Sequence, residues 1–599
     1  MFIRAKPRVL KSGKKGNTFS LAVSYRVNGD PKQRTILNLG QDFKIPRDRW
    51  KTLTRMVEDD LRGAPRLPFG EQTMEDACKD IVQRLKAKNY DIHAPQDDRD
   101  FIITHEIEHT DSRTVGGERV ALKALQLLGF APLLESLGFK KDHIDWATAL
   151  VIGRMLSPGS EVHTHQWMTQ YSSILELLSA TCPSARTLYD IGDRIYQNHE
   201  AIMERLFGNT KNLLGFNDSI ILYDLTNTFY MGSAHGPILK LGRSKEKRSD
   251  LPLVTLAVVL DGSGFPRRAK IFPGNVSEPS TLKQVMDQVD NKQPTVIMDA
   301  GIASEANLAY LKEQNLNWLC VERKKTPTVP KTKPDKVFRT TTNTQVRAWA
   351  LGVDNKEQRV YLHSESRQYK NDQILERKRT EFEASIAYLN EGLTVKGRPK
   401  NQQVIEKKVG KLTHKYRKVA RQYDVKVVQK KDHSNAERIQ IKRRSAYDEY
   451  SDASGGYILR TSHTDWDCET VARTYWRLGE IEQTFRSMKS DLGLRPFYHR
   501  SQAQIEAHLF LSILAFHTAH LIRCKLRAQG VFHSWGRLKV SLNHQTRITT
   551  VLPQNKTHCI LLKQDVKLKP LQRKIFQAMG LKLGKNALKI KAKRPPQED

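Results

Sequence analysis

The sequence predicts an α/β protein built on a mixed sheet, with a small β element and a helical module ahead of the sheet and an insertion domain interrupting it. Three observations lead there. Short apolar runs and amphipathic segments between 219 and 321 follow the order β-β-β-α-β-α-β, a charged Gly- and Lys-rich stretch breaks that order, and helical periodicity returns from about 468. At 599 residues the chain also exceeds one compact core, since domains commonly run about 100 to 200 residues.

Taken in order, residues 1–69 read as a basic β-hairpin region. Leu21, Val23, Tyr25 and Val27, then Thr35 and Leu37, alternate around the turn dipeptide Asn28-Gly29. From 70 to 212 the spacing is helical, with Leu122, Leu125 and Leu128 and then Leu133, Leu134 and Leu137 at steps of three and four. The first part of the core is 213–325. Ser219 to Asp224 is a strand, and Leu251–Leu260 and Phe265–Phe272 flank the turn Asp261-Gly262-Ser263-Gly264 as an antiparallel pair. Ser280–Val289 is a helix, Thr295–Asp299 a buried strand, Ser304–Gln314 a helix with a Ser start signal, and Leu316–Val321 a strand. Those are the parts of a ribonuclease-H-like core. An insertion domain occupies 326–466, with a long polar helix near 402–422. The second part of the core is 467–545, where a helix over about 468–492 precedes an apolar one from His499 to Lys525. Residues 546–599 read as a basic, mobile tail ending in Pro595-Pro596.

Ninety-nine Lys and Arg against sixty-five Asp and Glu leave a formal charge of +34, far from the small imbalance of an ordinary soluble protein. The basic residues lie in every segment, including 4–15, 240–248, 396–431 and 582–594, a distribution that suits a long duplex better than a small acidic metabolite. Double-stranded DNA is the expected partner, and 70–212 is the candidate module for binding DNA ends. The six cysteines form no CxxC pair, so neither a zinc knuckle nor a disulfide framework is indicated. The N-terminus lacks the apolar run of a signal peptide, and His508–Ile522 reads as too short and too His-interrupted to span a bilayer. No membrane and a cytoplasmic location are therefore expected.

Two acids stand after apolar strands. Asp224 follows Ile220-Ile221-Leu222-Tyr223, and Asp299 follows Val296-Ile297-Met298. In such a sheet the two strands are neighbours, so the carboxylates converge at one edge, where phosphate oxygens and hard cations are held. In the later helix Tyr475, Glu482 and Lys489 recur every seven residues, nearly two turns, and so share one face. Ile481, Phe485, Met488 and Leu492 form the stripe that docks this helix on the sheet. Glu482 is then the third acid. Phosphodiester hydrolysis and transesterification both develop charge during in-line displacement, and two metal ions about 3.5 to 4 Å apart stabilise the attacking and leaving oxygens. Three carboxylates, Asp224, Asp299 and Glu482, are the expected catalytic residues and ligands for two ions, Mg²⁺ by default with Mn²⁺ fitting equally. Tyr475 and Lys489 are expected to hold DNA phosphate. His163 and His165 lack a third ligand, and Lys11-Ser12-Gly13-Lys14 lacks P-loop spacing.

These residues resemble the DDE transposases of the insertion-sequence-four superfamily, especially its 1634-like branch. Tyr223-Asp224-Leu225-Thr226-Asn227-Thr228 resembles the first-aspartate motif, the run Gly242 to Asp250 with Lys245 and Arg248 the basic segment after it, and Phe272-Pro273-Gly274-Asn275 the second core signature. Met298-Asp299-Ala300-Gly301 resembles the second-aspartate motif, and Tyr475, Glu482 and Lys489 the Tyr, Arg, Glu, Lys helix. Position 478 is Leu where the pattern has Arg, which leaves the adjacent Arg477 as the substitute. The resemblance implies cut-and-paste transposition: binding of inverted-repeat ends, metal-dependent cleavage and joining of 3′ ends to target DNA within a synaptic homodimer. A nuclease without strand transfer and a decayed, binding-only transposase are the alternatives.

Overall fold

The computed structural model describes residues 1–9, 15–27, 30–65, 71–92, 102, 104–215, 219–245, 248–286, 294–323, 329–340, 343–354, 356–430, 434–444, 455–554, 558–583 and 587–593. The chain divides into two compact units, Met1–Asp111 with Ile548–Gln564 and Asn586–Asp599, and Ser112–Arg547 with Asp565–Lys585.

The larger unit is organised by a nine-stranded mixed sheet. Its strands are β1 (Ile220–Phe229), β2 (Leu253–Asp261), β3 (Pro266–Pro273), β4 (Thr295–Met298), β5 (Asn317–Val321), β6 (Lys336–Arg339), β7 (Gln345–Asp354), β8 (Glu357–Ser364) and β9 (Gly456–Thr461). They lie in the order β6-β7-β8-β9-β5-β4-β1-β2-β3. Strands β1, β2 and β3 are antiparallel neighbours, and β4 and β5 run parallel to β1. That half of the sheet is consistent with the expected ribonuclease-H-like core. The turn signal at Asp261 works through its side chain, whose Oδ1 accepts from the N–H groups of Ser263 at 3.0 Å and Phe265 at 2.7 Å.

Both faces of the sheet are covered, which explains why β2 is buried at every position rather than alternating. On one face Ile221, Tyr223, Leu225 and Trp318 pack with Leu282 and Met286 of helix α1 (Glu278–Met286) and Leu308 of helix α2 (Glu305–Glu313). On the other, Leu222, Val258 and Ile297 share a core with helices gathered from both ends of the unit. The chief of these is α7 (Gln502–Arg527), which packs against Gly116–Leu127, Lys141–Leu156 and Ala185–Gln197. Contrary to the sequence reading, α7 is long and apolar enough to cross a membrane. It is instead a core helix, buried over 94% of its apolar window. Its histidines are compatible with burial because they are held neutral and hydrogen-bonded, His517 Nε2 to Thr210 at 2.7 Å and His520 Nε2 to the Ser263 carbonyl at 2.9 Å.

Four boundaries differ from expectation. β1 does not stop at Asp224 but runs to Phe229, because β2 keeps pairing with it down to Phe229 opposite Leu253, after β4 has ended. The insertion at 326–466 donates β6 to β9 to the central sheet. Only its middle stands as a separate core, where helices α3 (Glu365–Gly392) and α4 (Gln402–Lys415) and the hairpin Tyr423–Gln429/Ala436–Arg443 bury Phe382, Ile386, Ile405, Tyr423 and Ile439. The expected module at 70–212 splits, since Gln72–Ala87 shares a core with the N-terminal sheet while the helices from Gly116 to Leu214 belong to the larger unit. The expected mobile tail carries strands Thr546–Pro553, His558–Asp565 and Ala587–Lys593 and helix Pro570–Ala578, whose Ile575 and Phe576 are buried. Pro595-Pro596 and the Asn28-Gly29 turn lie outside the described residues.

Two glycines of the quoted motifs are explained by close backbone approach. A Cβ at Gly274 would stand 2.2 Å from the Leu253 carbonyl oxygen, and one at Gly242 would stand 2.4 Å from the Gly274 carbonyl oxygen. With the exchanged Lys240–Leu253 backbone bonds, this contact threads the segment before Lys245 along the end of β2. Substitution Gly274→Ala is expected to cost about 1–3 kcal/mol, because the obstacle is backbone and not a flexible side-chain tip. Thermal denaturation of the purified variant reads this out.

Candidate active site

Register brings the two aspartates together. Tyr223 of β1 is the partner of Met298 of β4, so Asp224 and Asp299 come next in the same register. Strand alternation sets their side. Leu222 and Ile297 face the core that holds α7, Tyr223 and Met298 face the opposite core, and the next step returns Asp224 to the α7 side. Beyond Met298 the chain turns. The Asp299 carboxylate accepts from the Ile302 N–H at 3.1 Å, which closes that turn, and Arg323 donates to the carbonyls of Ala300 and Gly301.

A third carboxylate joins them, and it is not the expected one. Glu278 opens α1, and a Cβ built on Gly301 would lie 2.6 Å from its Oε2 and 3.0 Å from Asp299 Oδ1. Gly301 thus permits two acids to crowd one backbone position. The cation facing them is Lys245, whose Nζ stands 3.3 Å from Glu278 and 3.7 Å from Asp224 and donates to the Leu225 carbonyl at 2.7 Å. The Lys245 backbone is fixed by Asn227, whose side chain accepts from the Lys245 N–H at 3.2 Å and donates to the Arg243 carbonyl at 3.0 Å. The first-aspartate motif and the basic segment are therefore one construction: Asp224 supplies charge, and Asn227, three residues on, ties down its counter-ion.

The electrostatics are unfavourable to ionisation. Burial pushes the Asp224 carboxyl up to about 6, Lys245 opposes that rise, and the like charges of Asp299 and Glu278 add to it. Lys245 stays an ammonium: burial disfavours its charge, but the acids around it raise its pKa on balance.

The other predicted residues are placed less simply. The helix expected over 468–492 is two helices, α5 (Cys468–Trp476) and α6 (Leu478–Ser490), separated at Arg477, so the seven-residue spacing does not put Tyr475 on one continuous face with Glu482 and Lys489. The stripe Ile481, Phe485, Met488 and Leu492 is buried as read, on the same side of the sheet as Asp224. Glu482 is exposed on α6 and is not among the charges acting on Asp224. Tyr475 is close enough to Asp299 to feel its charge and sits 6.4 Å from Tyr457, ring to ring, with burial and then Tyr457 raising its phenol. Arg477 packs near Gly262, at the start of β1, about 13 Å along the strand from Asp224. Leu478, where the resemblance calls for Arg, is buried in the core. Lys489 is half-buried near the end of α6, and Arg248, also half-buried, pairs with Asp250 at 3.0 Å and lies over the Phe229 ring. Lys245, itself exposed, is thus the counter-ion of the acid cluster in the DNA-free chain.

Comparison with known proteins bears on this geometry. The family described as "Transposase DDE domain" matches residues 240–393 and 386–516. The matched stretch, 240–516, is similar to a transposase DDE domain. Asp299 and Glu482 fall inside the matched span and Asp224 just ahead of it. No curated protein matches the chain. Among solved structures, the chain is similar to a piggyBac transposase synaptic complex with hairpin DNA at a TM-score of 0.31 and 8% identity, covering 68% of this chain and 70% of that one. It is also similar to a Mos1 mariner paired-end complex with Mn at a TM-score of 0.13 and 12% identity, covering 46% and 78%. Among the described residues, no three His, Cys, Asp or Glu side chains stand close enough together to hold a metal ion.

The raised carboxyl gives a pH signature. Asp224 has a folded pKa above its ordinary value, so its contribution to stability is present below pH about 4 and is lost as pH rises through about 6. Asp224→Asn is expected to melt above wild type at pH 8, in the absence of divalent metal, with that advantage shrinking to nothing by pH 4. An advantage of equal size at both pH values would remove ionisation as its cause.

Proposed function

We propose that the chain is a cut-and-paste transposase that binds the inverted-repeat ends of its element, cleaves them by metal-assisted phosphodiester hydrolysis and joins the 3′ ends to target DNA. The observation that carries this reading is the register of β1 and β4, which sets Asp224, just ahead of the stretch similar to a transposase DDE domain, beside Asp299 inside it.

The donor set suits a hard divalent cation. All donors are carboxylate oxygens, two of them adjacent, and among the described residues the Lys245 ammonium faces them. Asp224 and Asp299 are proposed to hold the ions, two Mg²⁺ or Mn²⁺, with Glu482 completing the set from α6 on the same side of the sheet. Such ions, when bound, lower the pKa of water and neutralise charge on the phosphate. The rest falls to the protein. Gly301 and the Ile302 N–H fix the Asp299 carboxylate, and Asn227 holds Lys245 at the cluster, where its ammonium can pass from Asp224 and Glu278 to a DNA phosphate. Tyr475, beside Asp299, is placed to donate its phenol proton to the same strand. We further propose that a synaptic homodimer forms on paired ends, and that the protein works in the cytoplasm on chromosomal DNA.

One observation favours a second reading, a binding-only descendant: Glu482 stands apart from the aspartates. Purified protein, Mg²⁺ and duplex carrying the repeats that flank the gene separate the two. Cleavage and joining by wild type, with Glu482→Gln losing both by at least about a hundredfold while still binding the ends, is the expected result. Wild type that binds the ends yet leaves them intact in Mg²⁺ and in Mn²⁺ favours the binding-only protein. Cleavage without joining of a pre-cut end identifies a nuclease.

A further inference from the structure

The smaller unit presents a face that the reaction just described does not use. Strands Phe2–Val9, Lys15–Val27 and Asp30–Gly40 form a three-stranded antiparallel sheet. The register aligns Ile3, Leu21 and Leu37 across it, and these pack on Leu53, Met56 and Val57 of Trp50–Arg62 and Met74 and Ile81 of Gln72–Ala87. The next line across the strands, Arg4, Ser20 and Asn38, faces away from that core, as does the Lys6–Thr18 pair. A register shift between Leu21 and Ala22 brings Thr35 and Gln33 to the same side, where Arg4 donates to Thr35 at 2.8 Å and to Gln33 at 3.4 Å. Lys6, Gln33, Thr35 and Asn38 are exposed, Arg4 is half-buried over the buried Ser20 and Ala22, and its Nε and Thr18 Oγ1 are buried without a hydrogen-bond partner among the described residues.

Charge is segregated the same way. Residues 1–40 hold nine Lys and Arg and one acid, Asp30. The two helices on the opposite side are balanced, each with three basic and three acidic residues. By register Arg4 and Lys6 fall on the face away from the helices and Arg34, opposite Val23, on the helix side, where the six helix acids offset it; the strands place no acid beside Arg4 and Lys6 among the described residues.

We propose that this open sheet face lies in the major groove of duplex DNA and reads base edges, an inference that rests on the chain acting on DNA. The dimensions agree: strands lie about 5 Å apart, and the B-DNA major groove is about 12 Å wide, enough for a narrow β-ribbon. The chemistry agrees as well. Arg matches the O6 and N7 acceptors of guanine, Gln and Asn match the N6 and N7 edge of adenine, and Thr serves either a polar edge or the thymine methyl. Lys6, at the margin of the face, is placed for the phosphate backbone. Recognition of DNA ends would then begin in the first 40 residues, ahead of the helical segment that the sequence reading singled out.

The test uses the full chain, a duplex of the terminal repeat flanking the gene and a shuffled duplex of equal length. Arg4→Ala, Gln33→Ala and Thr35→Ala are each expected to weaken binding to the repeat by about tenfold or more and to the shuffled duplex by less than about threefold. Wild type should shield guanine N7 in the repeat from methylation, and Arg4→Ala should relieve that protection. Arg55→Ala, exposed on the helical side, should change neither. The sheet assignment is overturned if all three sheet variants bind the repeat like wild type, or if Arg55→Ala loses as much as they do. Wild type that binds neither duplex overturns the DNA-acting reading itself, and preference for single-stranded RNA or for protein over both duplexes overturns the assigned partner.

Discussion

Two like charges held side by side at a half-buried sheet edge organise this structure. Asp224 and Asp299 are held near each other because strand pairing fixes Asp224 and carries the neighbouring strand to Met298, one residue before Asp299, whose carboxylate the Ile302 N–H then holds. In water they would repel weakly. At a half-buried edge, with Glu278 added, repulsion and lost hydration together hold the Asp224 carboxyl near 6. The surrounding structure is arranged to contain that cost. Lys245 supplies the opposing charge, Asn227 anchors its backbone, and Gly301 leaves room for the acids to approach. A site that is costly without positive charge is one that gains from acquiring it, the usual relation between strain at a functional site and the ligand that relieves it.

The scaffold can bear this because its core is built from both halves of the chain. Helix α7, from beyond the insertion, is sealed among helices that precede β1, and the same core includes the inner stripe of α6. Burying a large apolar side chain contributes about 1.5–3 kcal/mol, so the four residues of that stripe hold α6 firmly against the sheet. The insertion strengthens the frame in another way. By adding β6 to β9 beyond β5, it turns an exposed edge into the interior of a wide sheet, which leaves β5 without an open edge.

How much of this was legible in sequence depended on whether the signal was local. Asp224 and Asp299 were found because apolar runs precede them, and β2 and β3 because Asp261-Gly262-Ser263-Gly264 is a turn by its own chemistry. Where β1 ends was not legible, since that depends on which neighbour keeps pairing. The break at Arg477 was hidden because Val471, Tyr475, Leu478 and Ile481, at steps of four, three and three, continue a helical pattern across it. Glu278 looked like an ordinary helix-opening acid. Only the fold shows that Gly301 and Lys245 converge on it from segments before and after, and its one sequence cue was its place directly after Phe272-Pro273-Gly274-Asn275. The N-terminal sheet was half-read: alternation revealed two strands, but in the third, Phe2–Val9, the alternation of Ile3, Ala5 and Val9 with Arg4, Lys6 and Arg8 runs through Pro7, a residue that argues against a strand.

The central claim is that Asp224 and Asp299 together form a cation site, and it is tested most directly by titrating Mn²⁺ into the DNA-free protein and following bound ion by electron paramagnetic resonance. Saturable binding by wild type, lost in Asp299→Asn although that variant melts no lower than wild type, is the predicted result. Equal binding by wild type and Asp299→Asn, or no saturable binding by either at pH 8, would contradict it.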